Sequence, residues 1–178
     1  MLLDEQAAAI GVPLRKVYLP SGPNGGCTNE IYESVMAEVM NDYFTQGIST
    51  VAFGDLFLAD LRAWREANLA RSGMCGIFPV WQRETNAFAR EVISLGYRAR
   101  LSCVEERLGP TFAGREYDEA LPRDLPAGVD PCGENGEFHT FVFDGPIFRN
   151  PVSVCVGEMV TRDGRCLADL LGKEMKGC

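Results

Sequence analysis

Ser49-Thr50-Val51-Ala52-Phe53-Gly54-Asp55 is an apolar, strand-favouring run that stops at a glycine and an acid. A helical pattern follows from about Leu58 to Arg71, with Leu61 and Trp64 on the inward side and Gly73 just beyond. A short apolar run comes next, Cys75-Gly76-Ile77-Phe78-Pro79. It is followed by a second helical pattern, from about Arg83 to Leu95, carrying Phe88, Ala89, Val92 and Ile93. Upstream, a helix over about Asn29–Gln46 places Tyr32, Met36, Met40 and Tyr43 beside a stripe of Ile31, Val35 and Val39. Before it lie a short strand, Leu14–Pro20, and a helix over residues 3–10. Strands alternating with helices require crossover connections, which give a parallel sheet. The run at 49–53 therefore reads as a buried strand of an α/β unit.

The rhythm changes after Gly96. Tyr97–Val104 reads as a strand, and residues 105–136 are loop-rich, with prolines at 110, 122, 126 and 131. Phe138–Phe143 and Val152–Val160 follow as strands, the latter paired with residues 165–170 across Asp163-Gly164. The chain thus divides into an α/β part, residues 1–82, and a smaller α+β part, residues 83–178.

Composition narrows the function. The chain has 178 residues, 46% of them hydrophobic, enough to fill a core. Its net charge of −8 offers no basic face for nucleic acid or acidic membrane. No apolar run approaches the about 18 residues of a membrane span, and the N-terminus carries two early acids where an export signal would be basic. Seven scattered cysteines without a CxxC pair argue against a disulfide framework and a zinc ribbon. Reduced thiols in a cytoplasmic protein are the expectation.

Chemistry concentrates in Asp130-Pro131-Cys132-Gly133-Glu134-Asn135-Gly136-Glu137-Phe138-His139-Thr140, which holds the single histidine. If the strand begins at Glu137, then Glu137 and His139 share a face with Phe141 and Phe143. An apolar wall there would raise a carboxylate pKa and lower that of histidine, which suits proton transfer. Glu134, Glu137 and His139 could equally be three metal ligands or a hydrogen-bonded network that fixes the turn. Cys132 has neither a basic neighbour nor a helix N-terminus visible beside it, so a nucleophilic role has little support. Gly54-Asp55 falls at the carboxyl end of a parallel strand, where open α/β sheets bind ligands. Asp55 would hold a ribose hydroxyl, a metal or an ammonium group, or else cap the next helix. Arg115 would hold an anion or pair with a nearby acid. Trp81 reads as a packing residue or a lid over a planar ligand.

Together these segments resemble the diphthine–ammonia ligase family, of the adenine nucleotide α-hydrolase (PP-loop ATP pyrophosphatase) superfamily. The carrying residues are Glu5-Gln6-Ala7, Gly11-Val12-Pro13-Leu14, Phe53-Gly54-Asp55, Pro79-Val80-Trp81 and Gly114-Arg115-Glu116-Tyr117-Asp118. Val129–Thr140 and Asp144-Gly145-Pro146-Ile147-Phe148 are the most specific. The resemblance implies a Rossmann-like (HUP-type) parallel sheet followed by an α+β substrate region, and an ATP-dependent, Mg²⁺-assisted amide-forming ligase. A substrate carboxylate is adenylated with release of pyrophosphate, and ammonia then displaces AMP. The family substrate in eukaryotes and archaea is diphthine on elongation factor 2. The resemblance assigns Gly54 and Asp55 to the nucleotide crevice. It puts the Glu134–Thr140 segment in the substrate-binding part facing the nucleotide; Arg115, Cys132, Gly133, Asn135, Gly136 and Thr140 are the residues expected on the substrate side, and Glu134, Glu137 and His139, read from the loop itself, are the acid/base candidates, with no metal expected.

The superfamily opens on a Ser-Gly-Gly-Lys-Asp-Ser loop whose amides cradle pyrophosphate, and this sequence has none; Ser21-Gly22-Pro23-Asn24-Gly25-Gly26 lacks the lysine. The expectation is an N-terminally truncated sheet. Residues 14–19 and 48–53 would then pair directly, or a complementing N-terminal segment or a second copy would complete the site. A non-catalytic binding module for a peptide or small carboxylate is the alternative, and a metal-dependent hydrolase a weaker one.

Overall fold

The computed structural model describes residues 1–20 and 27–172, so the Ser21–Gly26 loop lies outside the described residues. The chain forms two compact units, residues 15–83 and residues 1–14 together with 84–178.

In the 15–83 unit, helix α2 (Asn29–Thr45) begins at Thr28, whose hydroxyl accepts the Ile31 N–H at 3.4 Å. Strand β1 (Thr50–Ala52), helix α3 (Ala59–Arg71) and strand β2 (Cys75–Ile77) follow. The two strands pair in parallel, Val51 opposite Gly76. This is the α/β character the alternation predicts, but among the described residues the parallel sheet has two strands. Leu14–Pro20 is not a strand. Prolines stand at 13 and 20, no strand among the described residues pairs with it, and Arg15 instead pairs with Asp42 at 2.9 Å and lies over the Tyr43 ring. Nor is β1 buried: Thr50 and Ala52 are exposed and Val51 is half-buried. The apolar run signalled a strand, but a two-stranded sheet leaves it uncovered. Of α2 only Val39 is buried, while Tyr32, Met36 and Met40 line an open groove against Trp64 and Leu69 of α3.

Helix α1 (Leu2–Ile10) belongs to the other unit, although the sequence reading grouped it with residues up to 82. Gln6 donates to the Val142 carbonyl at 2.6 Å, and the Arg149 N–H donates to the Ala9 carbonyl at 2.8 Å. Helix α4 (Thr85–Ser94) leads into strand β3 (Arg98–Glu105). The short helix α5 (Leu121–Asp124) precedes strands β4 (Phe138–Asp144), β5 (Val154–Arg162) and β6 (Arg165–Gly172). The sheet is antiparallel in the order β4-β3-β6-β5, with β5 and β6 joined through Asp163-Gly164 as that dipeptide predicts. The loop-rich stretch before β4 contributes to the core rather than running over the surface: Leu108, Ala113 and Leu121 pack with Leu101, Val104 and Phe138.

Two β-bulges shape the β3–β4 pair. Leu101 faces Thr140 and Cys103 faces His139, so Ser102 is extra. Arg98 faces Asp144 and Ala99 faces Val142, so Phe143 is extra. Cys27, Cys75, Cys103, Cys132 and Cys166 are free thiols, as expected; Cys155 is disulfide-bonded, which departs from that expectation. Among the described residues no helix is long and apolar enough to cross a membrane.

Candidate functional site

The signature loop is built around Glu137. The Glu137 side chain is 1% exposed and its carboxylate collects three hydrogen bonds. The Asp130 N–H and the Asn135 side-chain amide donate to Oε1 at 2.9 and 3.0 Å, and the Asn135 N–H donates to Oε2 at 3.0 Å. Burial by itself would push this carboxyl up. The Asp130 N–H, the Asn135 amide and the N–H groups of Glu137 and Asn135 outweigh it and hold the pKa below the ordinary value. The carboxylate is therefore a fixed anion that organises the loop, which is the turn-fixing alternative among the readings of these residues.

Other loop residues hold the turn from outside. Asp130 Oδ1 accepts the N–H groups of Cys132 and Glu134 at 2.8 and 3.3 Å. The Gly133 N–H donates to the Asp130 carbonyl and the Gly136 N–H to the Gly133 carbonyl. Arg165 on β6 donates to the Gly136 carbonyl at 2.6 Å, and the Glu105 N–H on β3 to the Glu137 carbonyl at 2.8 Å. The loop is thus tied to two strands of the sheet.

Glu137 and His139 do not form one face. Strand β4 starts at Phe138, so Glu137 turns into the loop, while His139 is exposed on the side opposite Phe138 and Thr140. Glu134 is half-buried in the loop and engaged there. Among the described residues no group of three His, Cys, Asp or Glu side chains is placed to hold a metal ion, which argues against the metal-hydrolase reading.

Cys132, Thr140 and Phe138 do converge. With Tyr117 they line a cavity of about 440 Å³ whose other wall is α4, including Phe88 and Val92. Contrary to the sequence reading, Cys132 lies at a helix N-terminus: its thiol donates to the Thr85 carbonyl in the first turn of α4 at 3.3 Å. That end of α4 is already capped by Glu84, which accepts the Asn86 and Ala87 N–H groups at 3.0 and 2.7 Å. Burial, then Asp130, Glu134 and Glu84, push the thiol pKa up to about 12. Iodoacetamide at pH about 8 should therefore modify Cys132 on the order of a hundredfold more slowly than the thiol of an unstructured cysteine peptide, as peptide mass spectrometry would read out. Tyr117 donates to the Pro131 carbonyl at 2.5 Å, and burial followed by the Cys132 and Asp130 charges raises its phenol well above the ordinary value. Arg115 is held by Asp124 at 2.5 Å, with Asp118 at 3.7 Å.

In the 15–83 unit, Gly54 follows β1 and faces open space. Asp55 is 9% exposed and clasped by Arg65, whose Nε and Nη2 donate to its two oxygens at 2.8 and 3.3 Å. The helix-cap alternative for Asp55 is not used, since Leu58 is the N-cap of α3 without a side-chain bond. The sequence reading missed the surrounding aromatic–arginine cluster. Phe53 stacks on Phe78 at 5.4 Å, Trp81 meets Phe78 edge-on, Arg65 lies over Phe53, and Arg62 lies over both Phe78 and Trp81. Its signal was present in the aromatics ending both strands and in arginines three apart on α3. Gly54 and Asp55 supply no row of backbone amides for the phosphates of a nucleotide.

Residues 84–170 match the family described as diphthamide synthase C-terminal domain, starting where the 84–178 segment begins. The chain is 28% identical over 176 residues to diphthine–ammonia ligase of Danio rerio, covering 89% of this chain and 67% of that enzyme. The diphthine–ammonia ligases of Bos taurus and Homo sapiens are likewise 28% identical, each aligned over 93% of this chain and 67% of its own length. The chain is thus similar to the diphthine–ammonia ligases over most of its length, and its residues 84–170 match the model of the diphthamide synthase C-terminal domain.

Proposed function

We propose that this chain supplies the substrate-recognition part of a diphthine–ammonia-ligase-like, ATP-dependent amide-forming ligase. The observation that carries the reading is the loop Asp130–Thr140, fixed by the buried Glu137 carboxylate and bordering the cavity with Cys132 and Thr140. In this reading a substrate carboxylate, on a protein such as diphthine-bearing elongation factor 2, is adenylated by ATP with Mg²⁺, and ammonia displaces AMP. Arg115, Cys132, Gly133, Asn135, Gly136 and Thr140 form the substrate side. Glu134 and His139 carry the acid/base work, and Glu137 positions the loop. Gly54 and Asp55 border the nucleotide, within a sheet that takes its Rossmann-like form once further strands join β1 and β2.

The chain of 178 residues by itself is expected to release no AMP from ATP, because the described residues build no phosphate cradle. Calorimetry separates the readings. Binding of diphthine-bearing elongation factor 2 in preference to the unmodified protein supports substrate recognition; equal binding of the two defeats it. Steady AMP release by the purified chain would show that the phosphate site is complete. The binding-module alternative is favoured by the engagement of Asp55 with Arg65, and gains if an acid or peptide binds while ATP with Mg²⁺ does not.

A further inference from the structure

Strand β5 lies at an edge of the antiparallel sheet and pairs only with β6. A bulge breaks its ladder between Val156 and Met159 and sets Gly157 and Glu158 against Asp169. Bulges blunt a sheet edge, as do proline and lysine. Beyond this bulge the strand runs on as Glu158-Met159-Val160-Thr161-Arg162, in regular register with β6 from Met159 and with neither proline nor lysine. All five residues are exposed, Met159 by 45% and Val160 by 44%. An unprotected edge of this kind is a template for another strand.

The segment is also its own complement. Glu158, Val160 and Arg162, spaced by two, share one face. Arg162 stands opposite Arg165 on β6, and Glu158 lies beside Asp169, so one end of that face is basic and the other acidic. Like charges set across a strand pair are unfavourable. Arg165 donates to the neutral Gly136 carbonyl, which leaves its charge uncompensated. Among the described residues neither the Glu158 nor the Arg162 side chain has a partner. A second β5 strand, antiparallel about a two-fold axis at Val160, relieves both ends at once. It sets Glu158 opposite the partner subunit's Arg162, Arg162 opposite the partner subunit's Glu158, and the two Val160 side chains against each other.

We propose that two copies of this chain pair edge to edge through β5, in antiparallel register about Val160, joining their four-stranded sheets into one.

The test uses the full chain in analytical ultracentrifugation over a rising concentration series, with hydrogen exchange read peptide by peptide. The mass should rise towards twice 19.6 kDa, and amide protection should rise with it over residues 158–162. Glu158→Arg and Arg162→Glu should each weaken association roughly tenfold or more, because each sets like charges opposite one another twice across the axis. Each also removes a like-charge contact inside its own hairpin, so the fold should be kept, which circular dichroism checks. The double variant Glu158→Arg/Arg162→Glu restores both pairs with their signs exchanged and should return to within about threefold of wild type. A chain that stays monomeric throughout, association that neither single variant weakens, a double variant no tighter than the singles, or protection that rises elsewhere and not in β5 each overturns the proposal.

Discussion

Glu137→Leu should destabilise the chain by about 3 kcal/mol, because two backbone N–H groups and one side-chain amide lose their acceptor together, each worth about 1–3 kcal/mol when left unpaired. Glu137→Gln should lose less, about 1–2 kcal/mol, since one oxygen still accepts while the new NH₂ faces a donor. Urea denaturation followed by fluorescence reads both. The same carboxylate sets a pH dependence. Its folded pKa is depressed, so its contribution is complete above the ordinary carboxyl value and is lost as pH falls through the lower folded value. Wild type should therefore lose stability on acidification more steeply than Glu137→Leu. Parallel acid profiles for the two proteins would show that the carboxylate does not hold the loop. In function, Glu137→Gln should impair ligand binding together with stability, as expected of a positioning residue, whereas His139→Ala on the exposed face should leave stability within about 0.5 kcal/mol.

Gly133→Ala should cost about 2–4 kcal/mol. The residue sits at φ +69°, a conformation that costs an L residue roughly 1–2 kcal/mol, and an added Cβ would lie 2.9 Å from the Phe138 carbonyl oxygen and 3.0 Å from its ring. Gly136→Ala is the control. Its φ of +85° carries the same backbone penalty, but its nearest neighbour is the end of the Arg165 side chain at 3.9 Å, so the loss should stay at about 1–2 kcal/mol. Thermal unfolding of the two variants side by side isolates the steric part. Equal losses would mean that the loop moves away from Phe138 freely.

Much of the fold was legible because it is local. The Asp163-Gly164 turn selected the β5–β6 hairpin, and the 3.6-residue spacing of Phe88, Ala89, Val92 and Ile93 marked α4. Leu14–Pro20 misled because strand propensity is realised only beside a partner strand, and none lies there among the described residues. The same limit applied to β1, whose apolar composition says nothing about how many strands cover it. The site was legible as a loop: the glycines at 133 and 136 and the family signature lie within eleven positions.

The sequence by itself determined most of the helices and strands, the place of the polar loop and the kinship, since each depends on residues a few positions apart. Tertiary structure alone decided which polar groups are engaged. Glu137 turns inward and His139 outward because β4 begins one residue later than its pattern suggested. Asp55 is clasped by Arg65, ten residues on, because α3 folds back over the end of β1. Cys132 keeps its proton because it is buried, beside the carboxylates of Asp130, Glu134 and Glu84, at the start of α4, 47 positions earlier. The cavity exists because α4 brings Phe88, Ala89 and Val92 against Tyr117, Cys132, Phe138 and Thr140. Burial and charge pairing at this site are set by neighbours distant in sequence, and spacing along the chain carries no record of them.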